Sequence, residues 1–137
     1  MPYSPQGGEL ERLNSTINNS STIVEKAGAN IVEPAHKAVM YDGEGNVIVA
    51  TNGETTIGFI LSASLDPIEK GRQAHILIKD IGYGSAAVAV KKGDLLTVEN
   101  GLVKPAAAGD FIVGRAFSAA NPGAVVHVQV KHMGVKA

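Results

Sequence analysis

The sequence predicts an all-β fold: a small pseudo-twofold β-barrel or sandwich built from two similar units, preceded by an extended N-terminal arm with at most a short helix. Three observations predict it. Val (15) and Ile (11) together outnumber Leu (8) about three to one, and side chains branched at Cβ suit a pleated surface better than a helix. Sixteen glycines punctuate short apolar runs at the spacing of strands and turns. Finally, the second half of the β region repeats the first.

The 137 residues suffice for one compact domain plus an arm. Residues 1–36 form the expected arm. Residues 1–8 hold two prolines and two glycines and read as irregular. Leu10, Leu13 and Ile17 follow at i, i+3 and i+7, one stripe of a short helix. A helix this short is marginal in water by itself. Asn18 and Asn19 break the pattern, residues 22–26 read as a strand, and residues 28–34 as a connector. The arm carries spaced apolar residues but little core of its own, so it is expected to be ordered by a surface outside the chain. The alternative is that it folds back over an edge of its own barrel.

Residues 37–137 form the expected barrel domain. Residues 38–41, the Gly-rich turn 42–46 and residues 47–50 make a hairpin. Strands are expected over 55–63, 75–79 and 86–90, with Gly82, Tyr83, Gly84 and Ser85 as a turn. Residues 95–98 and 102–103 flank Asn100-Gly101, a type I′ signal, in a second hairpin. Strands over 111–119 and 125–133 complete the set. In the last, Val126, Val128 and Val130 alternate with His127, Gln129 and Lys131, so one side is core and the other faces solvent or a partner.

The repeat places Ile57-Gly58-Phe59-Ile60-Leu61-Ser62-Ala63 over Val113-Gly114-Arg115-Ala116-Phe117-Ser118-Ala119. Further on, His75-Ile76-Leu77-Ile78-Lys79 lies over His127-Val128-Gln129-Val130-Lys131. The hairpins around Gly45 and Gly101 fall into the same register. The two units span about 38–82 and 94–134. Neither is large enough to bury its own apolar face, so one shared core is expected. Gly58 and Gly114 sit inside strands, where Gly costs roughly 0.5–1 kcal/mol relative to Ala. A bulge, a sharp bend or a close backbone approach is the usual reason.

Chemistry is sparse. The net charge is −1, with no Lys/Arg run, so the footprint of a nucleic-acid binder is missing. No apolar run is long enough to span a bilayer, and no membrane partner is expected. With no cysteine, thiolate metal sites and cysteine nucleophiles are excluded. His75 and His127 hold equivalent repeat positions and should project from the outer face. Five residues separate His127 from His132, so on one strand they point to opposite faces and share no metal. Asp42, Glu44 and Asn46 alternate like the start of a calcium loop but lack its downstream Glu; turn chemistry accounts for them better. Residues 90–98 look like the strand entry of biotinyl and lipoyl domains, yet the following tip, Glu99-Asn100-Gly101, carries no Lys to modify. No His-Glu-x-x-His, Gly-x-Ser-x-Gly or Walker pattern occurs. The reading is a non-enzymatic protein with no cofactor and no metal.

Lys92-Gly93-Asp94-Leu95, Glu99-Asn100-Gly101-Leu102-Val103-Lys104-Pro105-Ala106, Ala108-Gly109-Asp110-Phe111-Ile112-Val113-Gly114-Arg115-Ala116 and Gly123-Ala124-Val125-Val126-His127-Val128 together resemble the tailed-bacteriophage capsid decoration and head-fibre-base proteins. The resemblance covers roughly residues 38–131. It implies a small β-barrel, commonly trimeric, seated on the capsid exterior, with an N-terminal arm that often grips the shell. The expected partners are then the major capsid protein and the chain itself as a homotrimer. The expected place is the virion, after synthesis in the host cytoplasm. Leu10, Leu13, Ile17, Ile23 and Val24 are the candidate arm contacts. The alternative function is a receptor- or glycan-binding module of a head fibre, although three Tyr, three Phe and no Trp are few aromatics for sugar binding.

Overall fold

The computed structural model describes residues 21–61 and 66–137. Ten strands run in order among these residues: β1 (Thr22–Lys26), β2 (Ala38–Tyr41), β3 (Val47–Val49), β4 (Gly58–Ile60), β5 (Gln73–Leu77), β6 (Asp80–Ser85), β7 (Leu95–Glu99), β8 (Leu102–Pro105), β9 (Gly114–Ala116) and β10 (Val125–Val130). They form two five-stranded antiparallel sheets. The first has the order β1-β5-β4-β2-β3 and the second β6-β10-β9-β7-β8. Adding five to each strand of the first order produces the second, so the duplication read from the sequence extends to topology.

The agreement reaches single residues outside the strands. Just past β1, Ala27 makes a parallel bridge to Val47 of β3; just past β6, Ala86 makes the same bridge to Val103 of β8. Ile31 bridges Ile68 in one unit, and Val90 bridges Ala120 in the other. The parallel bridge joins the two ends of each sheet, curling it into a small, nearly closed barrel. Tyr41 on β2 reinforces the first closure by donating a hydrogen bond to the Glu25 carboxylate on β1.

Tight curvature explains why several strands are shorter than their apolar runs. Strand is expected over 55–63, yet β4 holds only Gly58–Ile60, and residues 86–90 contribute two isolated bridges rather than a strand. Gly58 and Gly114 supply a close backbone approach. A Cβ at Gly58 would lie 2.0 Å from the Leu77 carbonyl oxygen, and at Gly114 2.1 Å from that of Gln129, its repeat equivalent. No side chain fits at either of these two positions.

Two apolar interiors form, not one. Ala27, Ile31, Val39, Val47, Ile60, Ala74 and Ile76 make the first. Their repeat equivalents Ala86, Val90, Leu96, Val103, Ala116, Val126 and Val128 all lie in the second. Each unit buries its own inward face, contrary to the shared core expected from residues 38 onward. The difference arises because each unit begins one strand earlier, with β1 or β6. The residues just after that strand, Ala27 and Ile31 or Ala86 and Val90, complete the interior.

The units meet where Ala38, Ala50, Phe59 and Leu77 of the first join the interior of the second. Gly82 and Gly84 make this possible. These residues belong to β6 rather than to the expected turn, and both are buried. A Cβ at Gly82 would lie 2.1 Å from Leu77 Cδ2, and one at Gly84 3.1 Å from Phe59 Cε2. The missing side chains are the space those two residues fill. The Asn100-Gly101 tip also docks into the first unit. The Gly101 N–H donates to the Ala50 carbonyl at 2.8 Å, and the Ala38 N–H donates to the Gly101 carbonyl at 2.9 Å.

The arm boundary at residue 36 needs correction. Residues 22–36 belong to the first unit: β1 pairs along its whole length with β5, from Thr22↔Leu77 to Lys26↔Gln73, and Ile31 is fully buried. The fold-back alternative describes this stretch. β1 reads poorly as a core strand because it lies at one end of the sheet and only Ile23 of its apolar pair turns inward. The helix expected over residues 9–17 lies outside the described residues.

Candidate interaction surface

Alternation along paired strands decides which side chains reach the surface. On β5 Ala74 and Ile76 point inward, so His75 and Leu77 point outward; on β4 Gly58 and Ile60 point inward and Phe59 outward. On β6, Ile81 and Tyr83 point outward. The second unit covers most of Phe59 and Leu77 but leaves a groove at the joint. This groove encloses about 220 Å3 and is lined by His36, Phe59, Ile60, Leu61, Leu77, Ile81, Gly82 and Tyr83.

The rim is held by local geometry. His36 has a φ of 60° and Asp80 a φ of 72°, a left-handed conformation that is uncommon for residues other than glycine. The His36 ring lies 5.7 Å from Tyr83, and Tyr83 meets His127 edge-on at 4.9 Å. At the other rim, Ser21 donates its hydroxyl to the Asp80 carboxylate, and the Ile78 N–H donates to the Ser21 carbonyl at 2.8 Å. These bonds place Ser21 beside Asp80, the residue before Ile81.

The repeat builds the same exposed row on each side of the groove. In the first unit Val24 on β1 pairs with His75 on β5, and the Leu61 N–H donates to the His75 carbonyl at 3.0 Å. In the second, Tyr83 pairs with His127, and the Phe117 N–H donates to the His127 carbonyl at 2.7 Å. Each row is a histidine flanked by two large apolar side chains. Val24 is 48%, Leu61 45%, Tyr83 50% and Phe117 38% exposed, which is high for residues of this size in ordered sheet. Leu61 from one row and Tyr83 from the other both line the groove, so the apolar surface is continuous across the joint.

Of the candidate contacts from sequence, Val24 lies in this surface. Ile23 turns the other way, partly buried against the first interior. Leu10, Leu13 and Ile17 lie outside the described residues. Sequence reasoning placed His75 and His127 outward, and both are exposed. It missed Leu61, Ile81, Tyr83 and Phe117. The one available signal was that Leu61 and Phe117 are equivalent residues just beyond equivalent strands.

The polar clusters have structural partners. The Asp42 carboxylate accepts from the Glu44 and Asn46 N–H groups at 2.8 and 3.0 Å, closing the turn. His132 meets Phe111 edge-on at 5.3 Å. Desolvation there holds its pKa below the ordinary value of 6.5, although a hydrogen bond with the Ile57 backbone acts in the opposite direction. Among the described residues no three His, Asp or Glu side chains come together as a metal site.

Fold and surface together define the class: an all-β module of two repeated, nearly closed five-stranded units whose most distinctive surface is apolar. No protein-family model matches the chain, and no curated protein matches it. Among solved structures, its fold is similar to that of the head fiber gp8.5 N base of bacteriophage phi29. The match has a TM-score of 0.58 and 16% sequence identity and covers 85% of this chain and 98% of that one. At that identity the likeness is one of fold.

Proposed function

We propose that this protein is a structural component of a bacteriophage virion that binds the outer surface of the capsid and decorates or stabilises it, with no catalytic step. The observation that carries the reading is a fold shared with nearly the whole of a phage head-fibre base. The continuous apolar surface at the joint supports it, because exposed apolar area of this kind marks interaction sites. In this reading the partner is the major capsid protein, and the chain acts as a homotrimer at a threefold or quasi-threefold position, where one patch serves three contacts. Leu10, Leu13 and Ile17 contact the shell along with Val24. Binding the assembled lattice but not free subunits stabilises the lattice by mass action.

Co-sedimentation tests the proposal. The full chain should pellet saturably with empty phage shells and remain in the supernatant with dissociated capsid subunits. The triple substitution Leu10→Asp, Leu13→Asp and Ile17→Asp should weaken pelleting while leaving the β domain folded. A full chain that never pellets with the shells of its own phage would refute shell binding, and light scattering checks the trimer separately.

A further inference from the structure

We infer that the open edge of β6, with the groove beside it, takes an extended segment of another protein as an added strand, one with a large apolar residue at its centre and a carboxylate at one end. The inference goes beyond shell binding and stands whichever protein supplies the segment. Hydrogen-bond parity defines the edge. The Ala86 N–H donates to the Ala124 carbonyl at 2.9 Å, and the register continues through Gly84↔Val126 and Gly82↔Val128. Bonded pairs recur at every second residue of an antiparallel ladder. Gly82 and Gly84 therefore bond to β10, and the N–H and C=O groups of Ile81 and Tyr83 point the other way. β6 lies at the end of its sheet, so among the described residues no strand pairs with those groups. The bridge from Ala86 to Val103 closes the edge only beyond them. Ile81, Gly82 and Tyr83 also line the groove, so the unpaired backbone borders the apolar hollow.

An exposed strand edge is a template for one more strand, and proteins commonly blunt it with a charged side chain or a proline. From Ile81 to Ser85 this edge has neither. The equivalent edge of β1 carries Lys26 and Glu25, which is bonded to Tyr41, and β8 ends in Pro105. In an added strand, directly opposed residues share a face. The residue opposite Gly82 then turns with it toward Phe59, Leu61 and Leu77 in the groove, while its two neighbours lie outward beside Ile81 and Tyr83. Backbone bonds supply the affinity, and the groove selects the central side chain. Charge sets the end of the segment. Lys79 and Lys131 are exposed and line a depression with Asp80 and Ile81. The Asp80 carboxylate accepts from Ser21, and neither lysine forms an ion pair among the described residues. Two ammonium groups thus stand ready for a carboxylate of the partner.

Amide exchange and peptide binding on the full chain test this. In the free protein, the Ile81 and Tyr83 N–H groups should exchange roughly a hundredfold or more faster than those of Gly82 and Gly84 by NMR. Matched protection would overturn the inference, since the edge would already be covered, by a second copy if protection grows with concentration and by the chain itself if not. The binding probe is a library of random, end-capped octapeptides. Enriched peptides should share one large apolar residue, no proline at its two neighbours, and an Asp or Glu toward one end. The double substitution Lys79→Ala and Lys131→Ala should remove the acidic preference alone. For the best peptide, N-methylation of either neighbour should weaken binding roughly tenfold or more, because the neighbours direct their N–H groups at β6. N-methylation of the central residue should change it little. Tyr83→Pro, which removes an edge donor, should bind roughly tenfold more weakly than Tyr83→Ala, which keeps it. No enrichment, an acidic preference that survives the double substitution, or equal losses at all three methylated positions would overturn the inference.

Discussion

Replacing Gly114 with alanine tests the repeat at its tightest point. The new Cβ would lie 2.1 Å from the Gln129 carbonyl oxygen, so β9 and β10 must separate by more than about 1 Å to restore ordinary contact. The obstacle is backbone, so no rotamer change relieves it. Overpacking of this kind costs about 1–3 kcal/mol, and one weakened ladder hydrogen bond adds about 1 kcal/mol. The reduced freedom of alanine in the unfolded chain offsets about 0.4–1 kcal/mol. The net loss is about 1–3.5 kcal/mol, which for a domain of this size lowers Tm by roughly 3–18 °C. Gly43→Ala is the control, since nothing lies within 4 Å of its Cβ position and its φ is not left-handed. It should be neutral or slightly stabilising. Urea denaturation of Gly114→Ala, Gly58→Ala and Gly43→Ala reads all three. Equal midpoints would refute the close approach, and a loss at only one of Gly58 and Gly114 would refute the equivalence of the units.

Further outcomes follow from the joint and the buried polar groups. Gly45 and Gly101 have φ of 82° and 81°, so alanine at either should cost about 1–2 kcal/mol. Only Gly101 is also crowded, by Lys37 Cδ and Val49 Cγ1 at 2.8 Å each, so Gly101→Ala should lower the urea midpoint further than Gly45→Ala if the hairpin docks as described. The Thr97 side chain is fully buried and its hydroxyl has no hydrogen-bond partner among the described residues. Thr97→Val should therefore raise stability by about 1–2 kcal/mol; a loss on denaturation would mean that the hydroxyl is paired. Because desolvation holds the His132 pKa below 6.5, the unfolded chain takes up a proton at higher pH than the folded one. The His132 contribution is fully present above pH 6.5 and falls away as pH drops through and below that value. NMR titration should place His132 below the ordinary histidine range, and His132→Gln should flatten the acid side of the stability profile.

The sequence by itself determined the class of fold, the duplication and the outward direction of His75 and His127. These depend on local rules: Cβ branching, period-two alternation and turn chemistry act within a few residues, and a repeat is visible without knowing where its copies lie. Gly58 and Gly114 were marked as special by their place inside strands, but the carbonyl oxygens that exclude a side chain there belong to partners more than ten residues away. Only the tertiary structure decided that residues 22–36 belong to the first unit, because an end strand with one inward apolar residue gains its stability from pairing with β5. Tertiary structure likewise decided that Gly82 and Gly84 lie in a strand. In one dimension Gly-Tyr-Gly-Ser has the composition of a turn; in three, the absent side chains are the volume that Phe59 and Leu77 occupy. The groove with Leu61, Ile81 and Tyr83 exists because two barrels, each closed on its own interior, leave a crease where they touch, and no local pattern encodes where two separately closed surfaces meet.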